Sequence, residues 1–189
     1  MYMRKKIFNT GFTLVELMVV ISIIGILSAV LYVNYNDARE QARDKVRMTD
    51  LKNLQLAIET YRAQNGIYPA QGCGDANNHD FAGSGPGTGA FVNCDTASKP
   101  YILGLTPDFI SVLPKDSKFE SDPNRGFYYT SDGNSYKLMV YDSVEQLFVT
   151  SYADEFARCP KTSTSCTGSS PTGANSKTYA VYSPGAADW

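Results

Sequence analysis

Residues 4–33 read RKKIFNTGFTLVELMVVISIIGILSAVLYV, a basic cluster followed by a long apolar run. Three basic side chains at positions 4–6 precede an apolar run, Phe12–Val33, in which Glu16 is the one charged residue. As an α-helix the run would be about 33 Å long, which is enough to cross a lipid bilayer. Because basic flanks stay on the cytoplasmic side, the pattern predicts a single span with its N-terminus inside and the rest of the chain outside.

Glu16 separates this run from simpler apolar segments. A cleaved secretory signal would have an apolar region of about 7–15 residues followed by a small-residue cleavage site, and this run is longer and lacks such a site. A plain membrane anchor explains the length and the orientation but not the carboxylate, which costs on the order of 2.5–3.5 kcal/mol at the centre of a bilayer. In the first turn of a helix that begins near Phe12, the helix dipole lowers this cost without removing it.

The run from Gly11 to Leu17, GFTLVEL, resembles the class III signal of the type IV pilin superfamily, which includes the pseudopilins of type II secretion. The basic leader, the Gly11–Phe12 junction, the acid at Glu16 and the long apolar run coincide. The resemblance implies cleavage after Gly11 by a prepilin peptidase, N-methylation of Phe12, and polymerisation into a filament with an assembly platform protein and an ATPase. It also implies that the Phe12 amine of one subunit pairs with Glu16 of a neighbour, so that two buried charges compensate each other.

The chain has 189 residues, enough for one long helix and one domain with its own core. The predicted class is α+β: a pilin-like "lollipop" with a long N-terminal helix packed on a small antiparallel sheet with disulfide-closed loops. Its predicted parts are a cleaved basic leader at 1–11, a transmembrane or filament-core half-helix at 12–35, an amphipathic half-helix at 36–65 and an extracellular globular domain at 66–189.

The helical pattern continues after the apolar run and predicts one helix over Phe12–Asn65, which Gly66 and Pro69 end. Two stripes on this helix point to different partners. Small residues that we expect to face neighbouring helices stand at Ala38, Ala42 and Val46. Bulkier residues that we expect to contact the globular domain stand at Leu51, Leu54, Ile58 and Tyr61.

A run of charged residues lies between the stripes. It consists of Asp37, Arg39, Glu40, Arg43, Asp44, Lys45, Arg47, Asp50 and Lys52. The pairs Glu40/Arg43 and Asp44/Arg47 are at helical contact distance. We interpret the run as a solvated face, with charge registry between filament subunits as the alternative.

Gly25 is the predicted point of helix flexibility. Many members of the family carry a proline near the outer end of the apolar run, where this chain has Val33. Gly25, together with Ser22 and Ser28, is then the place where bending or local melting on assembly costs least.

Four cysteines in an exported domain predict disulfides, with three connectivities possible. Closeness in sequence favours Cys73 with Cys94 and Cys159 with Cys166.

A zinc site that uses His79 with these cysteines lacks a recognised ligand spacing, and a calcium loop at Asp75, Asn77 and Asp80 lacks the glycine and glutamate of an EF-hand. The C-terminal tail resembles a region of type II major pseudopilins that can bind calcium. It supplies one carboxylate, Asp188, which is too few ligands for us to predict a metal or another cofactor.

Within the globular domain, Thr106 and Pro107 predict a short helix through Leu113. Strands are predicted at 126–130 and 135–142 around a four-residue turn, with a last edge strand at 179–182. Residues 143–158 have roughly helical spacing and a Ser143/Gln146 capping box, which favours a helix. The stretches 70–99 and 159–178 read as loops.

No phosphate-binding loop, metalloprotease motif or nucleophile elbow occurs, so the sequence predicts no enzyme. Loss of the leader lowers the basic count from 17 to 14 against 19 acidic groups, and this charge argues against nucleic acid as the main partner.

The expected partners are the inner membrane, the processing and assembly machinery, and other copies of the chain. The alternatives are the major pseudopilin of a type II secretion system and, from another class, an anchored ligand-binding module that never polymerises.

Overall fold

A computed structural model provides the structure of the chain. It describes residues 11–74, 80–83, 91–94, 99–119, 122, 124–158 and 170–189. The chain divides into two compact units, Met1–Arg39 and Glu40–Trp189.

The helix α1 spans Leu14–Asn65, which confirms the predicted helix to within two residues at its start. At its end, Gly66 has a φ of 81° and its N–H donates to the carbonyl of Arg62 at 2.8 Å. Glycine adopts this left-handed conformation without the steric cost that a side chain would impose. Residues 14–39 of α1 belong to the first unit and residues 40–65 to the second.

The described part of the first unit is helical and apolar, and its large side chains are exposed in the single chain. More than half of the surface of most of them is open, and Phe12 is 91% exposed. The exposed residues are Phe12, Leu14, Val15, Leu17, Met18, Val19, Val20, Ile21, Ile23, Ile24, Ile26 and Leu27. Among the residues that the structure describes, no helix contains a stretch that is both long and apolar enough to span a membrane.

The second unit contains a five-stranded sheet with the strand order β2-β1-β3-β4-β5. Its strands are β1 (Phe81–Gly83), β2 (Phe91–Asn93), β3 (Gly126–Ser131), β4 (Tyr136–Tyr141) and β5 (Tyr179–Tyr182). The pairs β1–β3, β3–β4 and β4–β5 are antiparallel, whereas β2 is parallel to β1. The predicted α+β class is confirmed, with a parallel edge pair added to the predicted antiparallel sheet.

The central hairpin β3–β4 confirms the prediction from the turn sequence. Phe127 is opposite Val140 in the register of the two strands. In the turn, Oδ1 of Asp132 accepts the N–H groups of Asn134 and Ser135 at 2.8 and 2.7 Å. These bonds hold the turn because a short acidic side chain can replace backbone hydrogen-bond partners.

The core lies between the second-unit part of α1 and one face of the sheet. Leu51, Leu54 and Ile58 are completely buried there, and Tyr61 packs partly buried against them. The predicted docking stripe is therefore confirmed. Side chains alternate across β3, since Phe127 and Tyr129 join this core while Tyr128 packs in a smaller cluster on the opposite face.

Residues 70–99 were expected to be a loop, and this is wrong for the segments that form β1 and β2. Each strand has three residues, which is too short for an alternating pattern to show in the sequence. β1 exists because it pairs with β3, a strand more than forty positions later in the chain. The pairing of distant strands is not visible in local sequence.

The short helix expected from Thr106 to Leu113 is also wrong. Turns and bends occupy this stretch, and the N–H groups of Phe109 and Ile110 both donate to the carbonyl of Leu105. The segment is bounded by Pro107 and Pro114, so few residues are available to offset the cost of starting a helix.

The helix favoured for residues 143–158 is wrong for a different reason. The backbone N–H of Val144 donates to the carbonyl of Lys177 at 3.0 Å, and that of Val149 donates to the carbonyl of Ser176 at 2.8 Å. The hydroxyl of Ser143, expected to cap the helix, accepts the N–H of Gly126 instead. Bonds to distant parts of the chain satisfy the backbone and replace the helical ones.

The predicted last strand is confirmed as β5, which pairs with β4 at one edge of the sheet. The chain then makes a 3-10 turn, Pro184–Ala186, and folds back along β4. The buried ammonium of Lys137 donates to the carbonyls of Ala187 and Trp189 at 3.0 and 2.7 Å.

Candidate assembly and docking sites

The N-terminal motif forms a reciprocal cap at the start of α1. Oε2 of Glu16 accepts the backbone N–H and the hydroxyl of Thr13, each at 2.8 Å. The hydroxyl of Thr13 in turn accepts the N–H of Glu16 at 3.2 Å. This arrangement is a capping box, in which two otherwise unpaired backbone donors of the first turn are satisfied by each other's side chains.

Thr13 is an intramolecular partner of Glu16 that was not expected from the sequence, where Glu16 was predicted to pair with a neighbouring subunit. The signal was present, because Ser or Thr followed three residues later by Glu marks a helix start. Phe12 and Gly11 lie just before the cap, and both are exposed. The junction predicted to be cleaved is thus next to a fixed helix end.

Gly25 lies inside α1, in the first unit. Apart from the neighbouring backbone of the helix itself, a Cβ built at this position meets no atom of the described residues within 4 Å. Packing within the single chain therefore does not require glycine here. The predicted role of Gly25 in helix flexibility stays a prediction.

The second unit contains a charge cluster, which we define as Asp44 and Arg47 of α1 with Asp116 and Glu145 of the globular part. Arg47 is at its centre and is 4% exposed. Its Nε lies 2.7 Å from Oδ2 of Asp116, and its Nη1 lies 2.7 Å from Oδ1 of Asp44 and 2.9 Å from Oε1 of Glu145. Burial opposes the charged form of Arg47, but the bonds to these carboxylates outweigh it and raise its pKa.

Asp44 connects the helix to the backbone of the segment that follows β4. Its side chain is fully buried and accepts the N–H groups of three successive residues. The distances are 3.1 Å from Glu145, 2.8 Å from Gln146 and 2.9 Å from Leu147. A carboxylate that accepts several backbone N–H groups replaces their lost contact with water, so this loop is held without a helix of its own.

Glu145 is the second acidic centre of the cluster. Arg43 donates to it through Nε at 2.7 Å and through Nη2 at 2.5 Å, and Lys118 donates to its Oε2. Burial alone would raise the pKa of Glu145, but the hydrogen bonds from Arg43, Lys118 and Arg47 hold it at about 2.

The charge cluster corrects the interpretation of residues 37–52 as a solvated face. Asp44 and Arg47 are buried and form the expected helical pair. Arg43 pairs with Glu145, whereas the sequence pointed to Glu40 as its partner. The partners at 116 and 145 lie far along the chain, so helical spacing alone could not find them.

The disulfide predicted between Cys73 and Cys94 is present, with a Cα–Cα distance of 5.5 Å. It links the segment after α1 to the end of β2. Cys159, Cys166 and His79 lie outside the described residues, as do Asp75 and Asn77, so the second predicted disulfide and the alternative metal sites there are not described. In the described part of the chain, no group of His, Cys, Asp or Glu side chains is arranged to hold a metal ion.

The capping box and the charge cluster both have a structural role. The capping box fixes the helix start, and the charge cluster fixes the globular part on α1 within the second unit. The buried carboxylates accept hydrogen bonds from cations and backbone groups, which compensate the charges that burial would otherwise destabilise.

Comparison with known proteins places the N-terminal motif in a defined group. The profile of the prokaryotic N-terminal methylation motif matches residues 9–32. The type II secretion system core protein G of Vibrio cholerae is 39% identical over 67 residues, which are 35% of this chain and 46% of the relative.

Two further relatives align over more of the chain. The core protein G of Aeromonas hydrophila is 31% identical over 108 residues, 57% of this chain and 66% of the relative. The type IV major fimbrial protein FimA of Dichelobacter nodosus is 34% identical over 107 residues, 54% of this chain and 61% of the relative. The chain thus covers less than two thirds of the length of each of these relatives. No solved structure matches the chain significantly.

The matched methylation motif at residues 9–32 and the names of these relatives point to the same group of proteins. On these grounds the chain belongs to the type IV pilin superfamily.

Proposed function

We propose that the chain is a structural subunit of a type IV pilus-like filament. It is made as a prepilin, cleaved after Gly11, N-methylated at Phe12 and polymerised through its N-terminal helix. The observation that carries the proposal is the exposed apolar surface at the start of α1, which lies within the matched methylation motif. A soluble single chain rarely exposes a continuous surface of this kind, because such surfaces mark contacts with proteins or membranes.

Two environments cover this surface in succession. Before assembly the helix is held in the inner membrane with its N-terminus on the cytoplasmic side, as the basic leader favours. After assembly the same side chains contact the helices of other copies in the filament core. The superfamily consists of structural subunits, so the chemistry of processing is carried out on this chain by a prepilin peptidase and N-methyltransferase, and an assembly platform protein and ATPase supply the force.

Glu16 connects processing to assembly in this account. Both bonds from Thr13 go to Oε2, and within the described residues no partner is recorded for Oε1. Cleavage after Gly11 creates a positive amine at Phe12. We infer that this amine binds Oε1 of Glu16 in a neighbouring copy, since a charge pair lowers the cost of placing either charge in the filament core.

Filament yield in variants of Glu16 tests the proposal. The variant Glu16→Gln keeps the size of the side chain and removes its charge, and Asp37→Asn makes the same change at an exposed acid of the same helix. We expect Glu16→Gln to lower the amount of chain in the sheared surface fraction by about tenfold or more. The control should match the unmodified chain. Filaments at normal yield from Glu16→Gln, and likewise from Glu16→Ala, would show that the pairing is not required.

The major pseudopilin of a type II secretion system is the second candidate. It is favoured by the two relatives named type II secretion system core protein G. A pseudopilus is normally short, whereas a pilus extends from the cell. Long filaments released by shearing cells at native expression would favour the pilus, and a chain confined to the cell envelope, whose loss stops protein secretion, would favour the pseudopilus.

A further inference from the structure

A cavity of about 200 Å³ opens beside α1 in the second unit, next to the charge cluster. Its lining combines apolar side chains with one carboxylate that the charge cluster does not use, Asp50. The lining residues are Ala42, Arg43, Val46, Arg47, Asp50, Lys115, Asp116, Ser117 and Phe127.

Within the described residues, Asp50 differs from the acids around it because no cation pairs with its carboxylate. Asp44, Asp116 and Glu145 all accept hydrogen bonds from cations. Among the described residues, no hydrogen bond or ion pair is recorded for the half-buried carboxylate of Asp50, and burial raises its pKa. A partly desolvated charge without a partner is costly, so this position favours the arrival of a cation.

The cations nearest the cavity are engaged elsewhere. Arg47 is bonded to Asp116 and Arg43 to Glu145. Lys115 lies exposed at the rim of the cavity and takes part in an interaction of its own. The cavity therefore has room for a cation from outside this copy.

We propose that this cavity binds the side chain of Lys45 from a second copy of the chain. A lysine matches the cavity because its methylene stem packs on apolar surface while its ammonium reaches a charged group. Ala42, Val46 and Phe127 provide the apolar walls, and Asp50 provides the carboxylate. The small side chain of Ala42, and Val46 at 58% exposure, leave the approach to the cavity open.

Lys45 is a cation of the same helix that has the chemistry for this role. It is exposed and, within the part of the chain that the structure describes, its side chain has no recorded partner. It precedes Asp50 by five positions, which places the two residues about 7.5 Å apart along the helix axis and about 140° apart around it. They cannot meet within one copy.

Lys45 and the cavity lie on different sides of the helix. Two copies that join through them therefore make a head-to-tail contact. Each copy can then donate Lys45 to one neighbour and accept Lys45 from another, and such a contact propagates instead of closing into a dimer. This inference rests on the proposed filament function and names one lateral contact in it.

Charge exchange tests the contact in the full chain. Single variants Asp50→Lys and Lys45→Asp place like charges together, and we expect each to lower filament yield by about tenfold. The double variant restores opposite charges at every contact and should recover yield to within about twofold of the unmodified chain. Lys99→Asp is the control, because it reverses an exposed cation outside the helix. A double variant no better than the weaker single variant, or single variants with normal yield, would overturn the proposal.

Cross-linking separates the contact from an effect on folding. A chain with Lys45→Cys and Asp50→Cys, treated in sheared filaments with a short bis-maleimide, should give a ladder of multimers. The two variants with one added cysteine each, and the unmodified chain with its native cysteines, should give none. Filaments without a ladder would contradict the contact while leaving the filament function intact, whereas an unmodified chain that never forms filaments would contradict the proposed function itself.

Discussion

Arg47 and Asp116, which are 69 positions apart in the sequence, form a two-point ion pair: Nε to Oδ2 at 2.7 Å and Nη2 to Oδ1 at 3.1 Å. Two nitrogens of the planar guanidinium bind the two oxygens of the carboxylate, which fixes the relative orientation of the two groups as well as their distance. This pair holds the segment after Pro114 on α1, and Asp44 holds the segment after β4 on the same helix. Within the second unit, buried charges thus complement the apolar core.

Removal of Arg47 should destabilise the second unit strongly. The variant Arg47→Met keeps much of the side-chain volume but leaves Asp44, Asp116 and Glu145 without their shared cation. We expect the free energy of unfolding to fall by about 3–5 kcal/mol, because an uncompensated buried charge costs more than a lost contact. Denaturant titration of the full chain in detergent measures it.

The matched control for Arg47→Met is Lys45→Met, which removes an exposed cation from the same helix. It should change the free energy of unfolding by no more than about 0.5 kcal/mol. Equal stabilities for the two variants would mean that the charge cluster does not hold the domain.

Acid should weaken the charge cluster through Glu145. Its pKa is about 2 in the folded chain against an ordinary value of 4.5, so the unfolded chain binds a proton first as the pH falls. The stabilising contribution of Glu145 is therefore fully present above pH 4.5 and is lost as the pH approaches 2. Its size should be on the order of 1–3 kcal/mol.

Melting temperatures of Glu145→Gln across the pH range isolate this contribution, and Glu155→Gln is the control variant. Glu155 is an exposed acid paired with Lys52, and its replacement should leave the pH dependence of the melting temperature unchanged. Glu145→Gln should be less stable than the unmodified chain at neutral pH and should lose less stability on acidification. Parallel pH profiles for all three proteins would contradict the assignment.

The disulfide between Cys73 and Cys94 should contribute about 3 kcal/mol, as expected for a closed loop of about twenty residues. The double variant Cys73→Ala/Cys94→Ala tests this by denaturant titration without leaving a free thiol. A non-reducing peptide map of the unmodified chain should recover the 73–94 linkage, and the same map tests the predicted 159–166 linkage. A link from Cys73 to either of the last two cysteines would contradict both.

Gly25 should matter for assembly and not for the single chain. Gly25→Ala meets no steric obstacle and favours the helix by about 1 kcal/mol, so helix content in detergent should be kept. If the helix must bend or melt there during assembly, filament yield should fall. Ala29→Gly makes the opposite change four residues later and should not reduce it. Normal yield from Gly25→Ala would remove Gly25 from the assembly account.

The parts of the fold that local sequence encodes were predicted from the sequence. The extent of α1, the docking stripe at Leu51, Leu54 and Ile58, and the β3–β4 hairpin each follow from periodicity or turn chemistry within a few residues. The Cys73–Cys94 disulfide followed from closeness in the chain. These features need no knowledge of distant partners.

The parts that failed depend on contacts between distant positions. Residues 143–158 have helical spacing, yet Asp44, about a hundred positions earlier, accepts the N–H groups of residues 145–147 in place of helical partners. Asp44 and Arg47 looked solvated because Asp116 and Glu145 could not be placed opposite them. The capping box at Thr13 was local and could have been recognised.

Intact mass and N-terminal peptide analysis of the chain recovered from the sheared surface fraction tests whether the chain is processed and exported as a filament subunit. The account predicts fibrous material in which the chain begins at a methylated Phe12. An unprocessed chain beginning at Met1 and confined to membranes would contradict it.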